Sequence, residues 1–299
     1  MQRSFTGQPK TTHRDPDVCV VTCALTGVLA NRKQNTGIPY TPTEIADEAK
    51  RAYDAGASVV HLHARTDDGA PTFEPSVFAA IKREIRERCP VILNYSTGTL
   101  SDDVSQQIAY LTECKPEIGA LNMGTMNYSK YSQQRKEFVF DMVFKNTYEK
   151  ITNLLVAMNE AGVKPELECF DTGHTQGAWP LIDMGLLKAP FQFSFIVGVL
   201  GGIPGEVDSL QLQTKLMPPG SEWECIGISH GHWRMLATAA VLGGNVRTGL
   251  EDHLYMPDGS MAASNGAMVE QAVALVRGVG RRPATVDETR TILGLGAPR

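Results

Sequence analysis

The sequence lacks four features that would each place it in a different class of protein. No apolar run approaches ~20 residues, so we expect no membrane-spanning helix. The net charge of −5 includes no long basic or acidic run, which argues against nucleic-acid binding. The six cysteines form no C-x-x-C pair, which fits a reducing compartment better than a disulfide framework. The polar stretch from Met1 to Asp17 lacks the apolar core of a signal peptide, so we expect a cytoplasmic protein.

The order of the apolar segments predicts an α/β protein with a (β/α)₈ TIM barrel. Strand-like and helix-like segments alternate eight times, which indicates a parallel sheet with right-handed crossovers. Eight is the number of strands that closes a TIM barrel. An open doubly wound sheet is the alternative, and it is weaker because no G-x-G-x-x-G follows the first strand. We expect a short N-terminal extension over residues 1–16 and a single barrel domain over residues 17–299.

The predicted strands are 18–23, 59–63, 91–95, 118–122, 166–170, 191–197, 222–228 and 245–249. Helices are expected between them, including one near 101–114 and one near 176–187. Residues 123–144 are predicted to form a long irregular insertion, with at most a short strand near 138–140.

A His-x-His pair closes the second predicted strand. Side chains two positions apart in a strand point to the same face, so His61 and His63 point one way and Leu62 the other. Two imidazoles on one face form a ready pair of metal ligands. From this segment alone, two unrelated core or surface histidines remain the alternative.

The third ligand is expected at the same rim of the barrel. Active sites of TIM barrels lie at the carboxyl ends of the strands, and Glu251 follows the eighth strand. Two histidines and one carboxylate leave an open coordination position, which is typical of a catalytic zinc. Arg247 is suited to hold a carboxylate, and Asp252 to act as a general base or as the partner of Arg247. A solvated salt-bridge cluster is the alternative for all three residues.

Other polar residues at the strand ends are each compatible with more than one role. His230 and His232 lie in a glycine-containing loop, which favours substrate contact or rim hydrogen bonding over metal ligation. Glu168 fits a supporting or substrate-binding position, and a buried ion pair fits equally well. Ser96 has no adjacent histidine, so its hydroxyl is better suited to hold an oxyanion than to act as a nucleophile.

The motifs resemble those of the β-keto acid cleavage enzymes, from about Asp17 to the C-terminus. The matching segments are Thr26-Gly27, Thr41 to Glu44, Ala55 to His63, Ser96-Thr97-Gly98, Leu121 to Thr125 and Arg247 to Asp252. The resemblance implies a zinc-dependent barrel that is a homotetramer or another homo-oligomer. It also implies that a β-keto acid and acetyl-CoA are the substrates, and that acetoacetate and a new acyl-CoA are the products.

The resemblance also implies roles for particular residues. His61, His63 and Glu251 match the zinc ligands, and Arg247 and Asp252 match the catalytic pair. The implied substrate contacts are Ser96, Thr99 and Asn122, with Thr99 at a position where the family's founding member has glycine.

Two implied substrate positions depart from the founding member, which cleaves 3-keto-5-aminohexanoate. Leu29 replaces a glutamate and Ala120 replaces a threonine. Losing a carboxylate and a hydroxyl makes the site less suited to an ammonium group. We therefore expect that this protein does not prefer 3-keto-5-aminohexanoate.

Two other functions are compatible with parts of the pattern. A zinc hydrolase of the amidohydrolase type also uses His-x-His, but on the first strand and with further histidines on strands five and six. A sugar- or acid-binding barrel without catalysis is the non-enzymatic alternative. Dependence on acetyl-CoA would distinguish acyl transfer from the zinc hydrolase. Turnover of any β-keto acid would distinguish it from the binding barrel.

Overall fold

Eight parallel strands close into a barrel at the centre of the computed structural model, which describes residues 17–298. The barrel strands are β1 (Val21–Ala24), β2 (Val59–Leu62), β3 (Ile92–Tyr95), β4 (Ile118–Asn122), β5 (Lys164–Cys169), β6 (Phe191–Val197), β7 (Ser221–Gly227) and β8 (Asn245–Thr248). β8 pairs back onto β1, with Arg247 opposite Thr22. The closed ring confirms the TIM barrel and excludes the open sheet. The predicted extension over residues 1–16 lies outside the described residues.

Helices cover the outside of the barrel. They are α1 (Pro42–Ala55), α2 (Pro75–Arg88), α3 (Ser105–Cys114), α4 (Tyr148–Ala161), α5 (Thr172–Gln176), α6 (Ala178–Asp183), α7 (Val207–Leu216), α8 (His232–Val241), α9 (Asn265–Gly278) and α10 (Val286–Leu293). None of these helices, which all lie within residues 17–298, is long and apolar enough to cross a membrane.

Local sequence signals explain where the first helix begins and ends. The Thr41 side chain accepts a hydrogen bond from the Glu44 backbone, and the Glu44 carboxylate accepts one from the Thr41 backbone. This capping box satisfies backbone groups that the first turn leaves free, and Pro42 has the backbone angle that a first turn needs. Gly56 ends the helix in the left-handed conformation, with φ of 114°.

Four predicted segments differ from the structure. The first strand is divided: Val18–Cys19 pairs with Arg282–Pro283, and the barrel strand begins at Val21. α3 starts at Ser105 because side chains bind the backbone of the preceding segment, where Ser101 accepts from the amide of Asp103 and Asp103 from that of Ser105.

The other two differences lie between β4 and β6. Residues 123–144 are not irregular but contain an antiparallel hairpin, Met126–Ser132 paired with Glu137–Phe144. The helix expected near 176–187 is replaced by the two short helices α5 and α6, which meet at Gly177.

Alternation along the strands divides the side chains into two sets. Outward residues such as Val60, Leu93 and Leu121 join the main core beneath the helices. Inward residues at the amino ends, including Val59, Ile92 and Ile118, form a smaller apolar cluster with α10. The inward residues nearer the carboxyl ends are mostly polar, and they form the site described next.

All six cysteines are free and buried. Cys23, Cys169 and Cys225 belong to strands and point outward into the main core. Burial raises the pKa of each of these thiols, so they behave as small apolar side chains and not as nucleophiles.

Candidate active site

β2 places the two histidines of the His-x-His motif at the carboxyl rim. His61 is the third residue of the strand and is fully buried, and His63 follows one residue after the strand ends. Their Nε2 atoms lie 3.5 and 3.4 Å, respectively, from the same atom, Oε1 of Glu251. The structure therefore brings together the three residues that the sequence proposed as a ligand set.

The turn after β8 holds Glu251 in this position. Gly249 has φ of 143°, and a Cβ there would lie 2.1 Å from the carbonyl oxygen of Ala24, so only glycine fits. The backbone N–H of Glu251 donates to the same carbonyl at 3.2 Å. Asn265 accepts the N–H of Leu250 at 3.0 Å through its Oδ1. The chain from β8 is thus fixed against β1, next to the histidines on β2.

Arg247 connects three carboxylates, of which Glu168 and Asp252 are buried and Glu251 is partly buried. Its Nε and Nη2 donate to the two oxygens of Asp252, each at 3.0 Å. Nη2 also donates to Glu251 at 2.7 Å, and Nη1 donates to Glu168 at 3.1 Å. Arg247 itself is buried on the inner face of β8. The solvated salt-bridge alternative is excluded, because this ion cluster lies inside the barrel mouth.

Burial and neighbouring charges shift the pKa values of the groups in this cluster in different directions. Burial raises the pKa of Asp252 to about 6, although Arg247 lowers it. Burial likewise raises the pKa of Glu168 to about 8, against the opposing effect of Arg247. Burial also disfavours the charged form of Glu251, but His61, His63 and Arg247 outweigh it and hold its pKa below the ordinary value. Burial and then Arg247 lower the pKa of His61, so its imidazole is neutral.

The three ligand atoms fit a zinc ion. Ligands at about 2.0–2.1 Å from a tetrahedral zinc stand about 3.3 Å from one another, close to the measured 3.4 and 3.5 Å. The second carboxylate oxygen of Glu251, Oε2, is buried and has no hydrogen-bond partner within residues 17–298. Histidine nitrogens and a carboxylate form the donor set that zinc takes in catalytic sites.

The predicted substrate positions are distributed unevenly around one cavity of about 480 Å³. Ser96, Thr99 and Asn122 are buried and line it. Leu29 lines it from the rim, with 53% of its surface exposed. Ala120 is fully buried and is not among the lining residues, because it lies two positions before Asn122 and one layer deeper in β4.

Two buried cations hold the loops that carry these residues. Arg65 donates to the backbone carbonyls of Thr26, Gly27 and Ala30, in the loop after β1. Lys150 donates to three carbonyls, including those of Thr99 and Ser101. Each cation replaces lost hydration with several carbonyl contacts, so the rim loops have a defined shape.

The second His-x-His does not join the cluster. The ring nitrogens of His232 contact the carbonyl of Gly227 and the hydroxyl of Thr248, at 2.6 and 2.9 Å. His230 is exposed in a short 3₁₀ turn. Neither His230 nor His232 belongs to a group of possible metal ligands within residues 17–298, whereas His61, His63 and Glu251 form one at the rim.

Sequence reasoning missed a polar layer directly below the rim. Ser194 lies 2.6 Å from Glu166 and 3.0 Å from Glu224, and Thr22 donates to Glu224 at 2.7 Å. Burial and the neighbouring Glu166 raise the pKa of Glu224 well above its ordinary value. Glu166 and Glu168 also approach His61 closely enough to form a second possible ligand group. The available sequence signal was the spacing of two residues between Glu166 and Glu168 and between Glu222 and Glu224. This spacing places the side chains of each pair on the same face of a strand.

Sequence reasoning also missed the apolar half of the cavity. The lining there consists of Tyr128, Met142, Phe144, Phe170, Ile196, Ile226 and Ile228. Three of these belong to the hairpin, whose alternating Phe140, Met142 and Phe144 were the available signal.

A closed parallel barrel with three possible metal ligands and an ion cluster at its carboxyl rim is the arrangement of a TIM-barrel enzyme. Comparison with known sequences then assigns the family: residues 18–295 match the beta-keto acid cleavage enzymes, and the chain belongs to that family.

Characterised relatives cover almost the whole chain. The 3-keto-5-aminohexanoate cleavage enzyme of Fusobacterium nucleatum is 38% identical over 92% of this chain and 97% of its own. The 3,5-dioxohexanoate:acetyl-CoA acetone transferase of Paraburkholderia graminis is 32% identical over 92% of this chain and 95% of its own. The 3-oxoadipate:acetyl-CoA acetyltransferase of Cupriavidus necator is 31% identical over 93% and 95%.

A solved structure confirms the fold independently. The complex of ObcA with oxaloacetate superposes with a TM-score of 0.72 at 21% identity. The match covers 87% of this chain and 68% of the ObcA chain. At this identity the likeness concerns the barrel alone.

Proposed function

We propose that this protein is a zinc-dependent acyltransferase that converts a β-keto acid and acetyl-CoA into acetoacetate and a new acyl-CoA. The observation that supports it best is the position of Asp252, which lines the same cavity as the three candidate ligands and is held by Arg247. Relatives named as acetyl-CoA transferases support the class of reaction. A bound zinc would supply Lewis acidity toward a substrate carbonyl.

The chain's own residues have distinct tasks in this reaction. Asp252 takes a proton from the carbon between the two carbonyl groups of the β-keto acid, and Arg247 fixes the direction of its carboxylate. The enolate attacks the acetyl thioester, and CoA leaves as a thiolate. The thiolate attacks the keto carbon, the carbon–carbon bond breaks, and Asp252 returns its proton to the released acetoacetate enolate. Ser96, buried at the cavity wall, is placed to donate to an oxyanion.

The direct test incubates the protein with acetyl-CoA and a panel of β-keto acids. Acetoacetate and a new acyl-CoA are expected in equal amounts, and neither is expected without acetyl-CoA. Turnover without acetyl-CoA would favour the hydrolase instead.

The cavity offers little to the ammonium group of 3-keto-5-aminohexanoate. Its three carboxylates are Glu168, Glu251 and Asp252, and each already binds Arg247. Leu29 at the rim contributes no charge. We therefore expect lower kcat/KM for this substrate than for uncharged members of the panel, although the Fusobacterium nucleatum relative is named for cleaving it.

Removing the metal is expected to abolish turnover reversibly. Protein treated with a chelator and dialysed is expected to lose more than about 99% of its activity, and stoichiometric Zn²⁺ is expected to restore it. The His63→Ala variant is expected to bind less zinc in elemental analysis, because one of three ligands is lost. Full activity in protein shown to be free of metal would contradict the proposal.

Gly27 gives a test that leaves all three ligands in place. Its φ is 57°, and a Cβ there would lie 2.6 Å from Cγ of Glu251. The Gly27→Ala variant is expected to displace the carboxylate and to weaken zinc binding by about 10-fold or more. Gly185→Ala is the matched control, because its φ of 72° imposes the same backbone cost with no atom within 4 Å of the new Cβ. Equal zinc affinity in both variants would show that Gly27 has no part in placing Glu251.

A further inference from the structure

The cavity has two chemically different halves. The polar half is formed by residues on and after β2, β3, β4 and β8. Its polar groups include His61, Ser96 and Asp252, and Phe73 and Leu100 also line this side. The opposite half is formed by the ends of β5, β6 and β7, where Phe170, Ile196 and Ile226 point inward. A substrate whose reacting head lies on the polar half has this apolar surface opposite it.

The apolar half is built as a fixed surface. Ile196 and Ile226 are partners in the register of β6 and β7, and both are buried. The rings of Tyr128, Phe144 and Phe170 meet edge to face in all three pairs, with centroids 6.0 to 6.2 Å apart. Such edge-to-face packing holds each ring in one orientation. The hairpin thereby completes the wall that begins at β5.

No free charge faces this wall from the residues that line the cavity. Arg247 is the one lysine or arginine in the lining of the described chain, and its donors are directed to Glu168, Glu251 and Asp252. A charged substrate group against Phe170 and Ile196 would lose its hydration without gaining a partner. This holds for a carboxylate as well as for an ammonium group, because neither would find a polar partner at this wall.

We propose that this chain selects β-keto acids with an uncharged, apolar tail, which packs against Phe170, Ile196, Ile226 and Ile228. This inference rests on the proposed function and names its substrate class. Each methylene placed against the wall gains transfer free energy, whereas a charge in the same place is penalised.

Two isosteric pairs of substrates test the selection. The first pair is 5-methyl-3-oxohexanoate and 5-amino-3-oxohexanoate, which differ by a methyl group and an ammonium group of similar size. The second pair is 6-methyl-3-oxoheptanoate and 3-oxoadipate, which differ by an isopropyl group and a carboxylate. With acetyl-CoA, kcat/KM is expected to be at least about 100-fold higher for the apolar member of each pair. Equal or higher values for either charged member would overturn the inference.

Variants at Ile228 test whether the apolar half of the cavity is responsible for the substrate preference. Ile228 lies at the half-buried edge of the apolar half, so a new side chain there keeps access to water. Ile228→Glu is expected to raise the ratio of amino to methyl turnover at least about 10-fold, and Ile228→Gln is expected to change it much less. Val241→Glu, at the exposed end of α8, is the control, because it also replaces a β-branched apolar side chain with a carboxylate. It is expected to leave the ratio of amino to methyl turnover unchanged. A ratio that moves equally in all three variants would contradict the assignment.

Binding measurements separate this inference from the proposed function. Calorimetry of the zinc-loaded protein with each acid, in the absence of acetyl-CoA, is expected to give the same order of affinities. If no acid is converted with acetyl-CoA, acyl transfer is overturned, while the order of affinities still decides which tail the wall accepts. If acids are converted but charged tails bind as well as apolar ones, the inference fails and acyl transfer stands.

Discussion

Replacing Arg247 with methionine is expected to lower the free energy of unfolding by about 3–5 kcal/mol. The substitution leaves the carboxylates of Glu168, Glu251 and Asp252 beside one another in the barrel mouth without the cation that each of them binds. Activity is expected to fall at least about 100-fold as well, because Asp252 loses both hydrogen bonds that direct it. Urea denaturation followed by circular dichroism, together with an acetoacetate assay, measures both effects.

Arg88 provides the matched control for this substitution. It pairs with Asp47 at 3.0 Å on the outside of α2, where Asp47 is half exposed. The Arg88→Met variant is expected to lose less than about 1 kcal/mol and no activity. Arg247→Lys is expected to fall between the two, because an ammonium group cannot bind three carboxylates in the fixed directions of a guanidinium. An Arg247→Met protein as stable as the wild type would show that the cluster does not depend on this charge.

The grouping of His61, His63 and Glu251 was predictable because it follows from two simple rules. Alternation in β2 fixes His61 and His63 on one face, and the geometry of a barrel brings the end of β8 to the same rim. Glu251 therefore needed no contact information to be chosen. Asp252 was likewise predicted as a partner of Arg247. The contact with Glu168 did need that information, because Glu168 is distant in sequence and its side chain reaches Arg247 across the barrel interior.

The apolar half of the cavity was not predictable from the barrel strands, because no residue pattern marks it there. Ile196 and Ile226 lie in short apolar segments at the carboxyl ends of their strands, and nothing in these segments distinguishes a cavity wall from an ordinary barrel core. The hairpin was missed because Met126–Ser132 contains asparagine, serine and lysine, which weaken the strand pattern. Its stability depends on packing against Phe170 and on its two strands pairing with each other.

Replacing Asp252 with asparagine is expected to lower kcat by about 10²–10⁴-fold while leaving the zinc content unchanged. Asparagine has nearly the shape of aspartate but cannot accept a proton from carbon. His61, His63 and Glu251 are untouched, and Arg247 keeps its contacts to Glu168 and Glu251, so the melting temperature is expected to move by only a few degrees. Asp258→Asn, in the exposed turn that binds Ser260, is the control and is expected to keep full activity.

Isotope exchange separates the proton transfer from the rest of the reaction. In D₂O without acetyl-CoA, the wild-type protein is expected to exchange the protons between the two carbonyl groups of a β-keto acid faster than the buffer does. Asp252→Asn is expected to exchange them at the buffer rate, because the proposed base is absent. Loss of turnover with exchange intact would place Asp252 in a later step, and near-full turnover would remove it from catalysis. The exchange readout thus distinguishes a base from a residue that only orients Arg247.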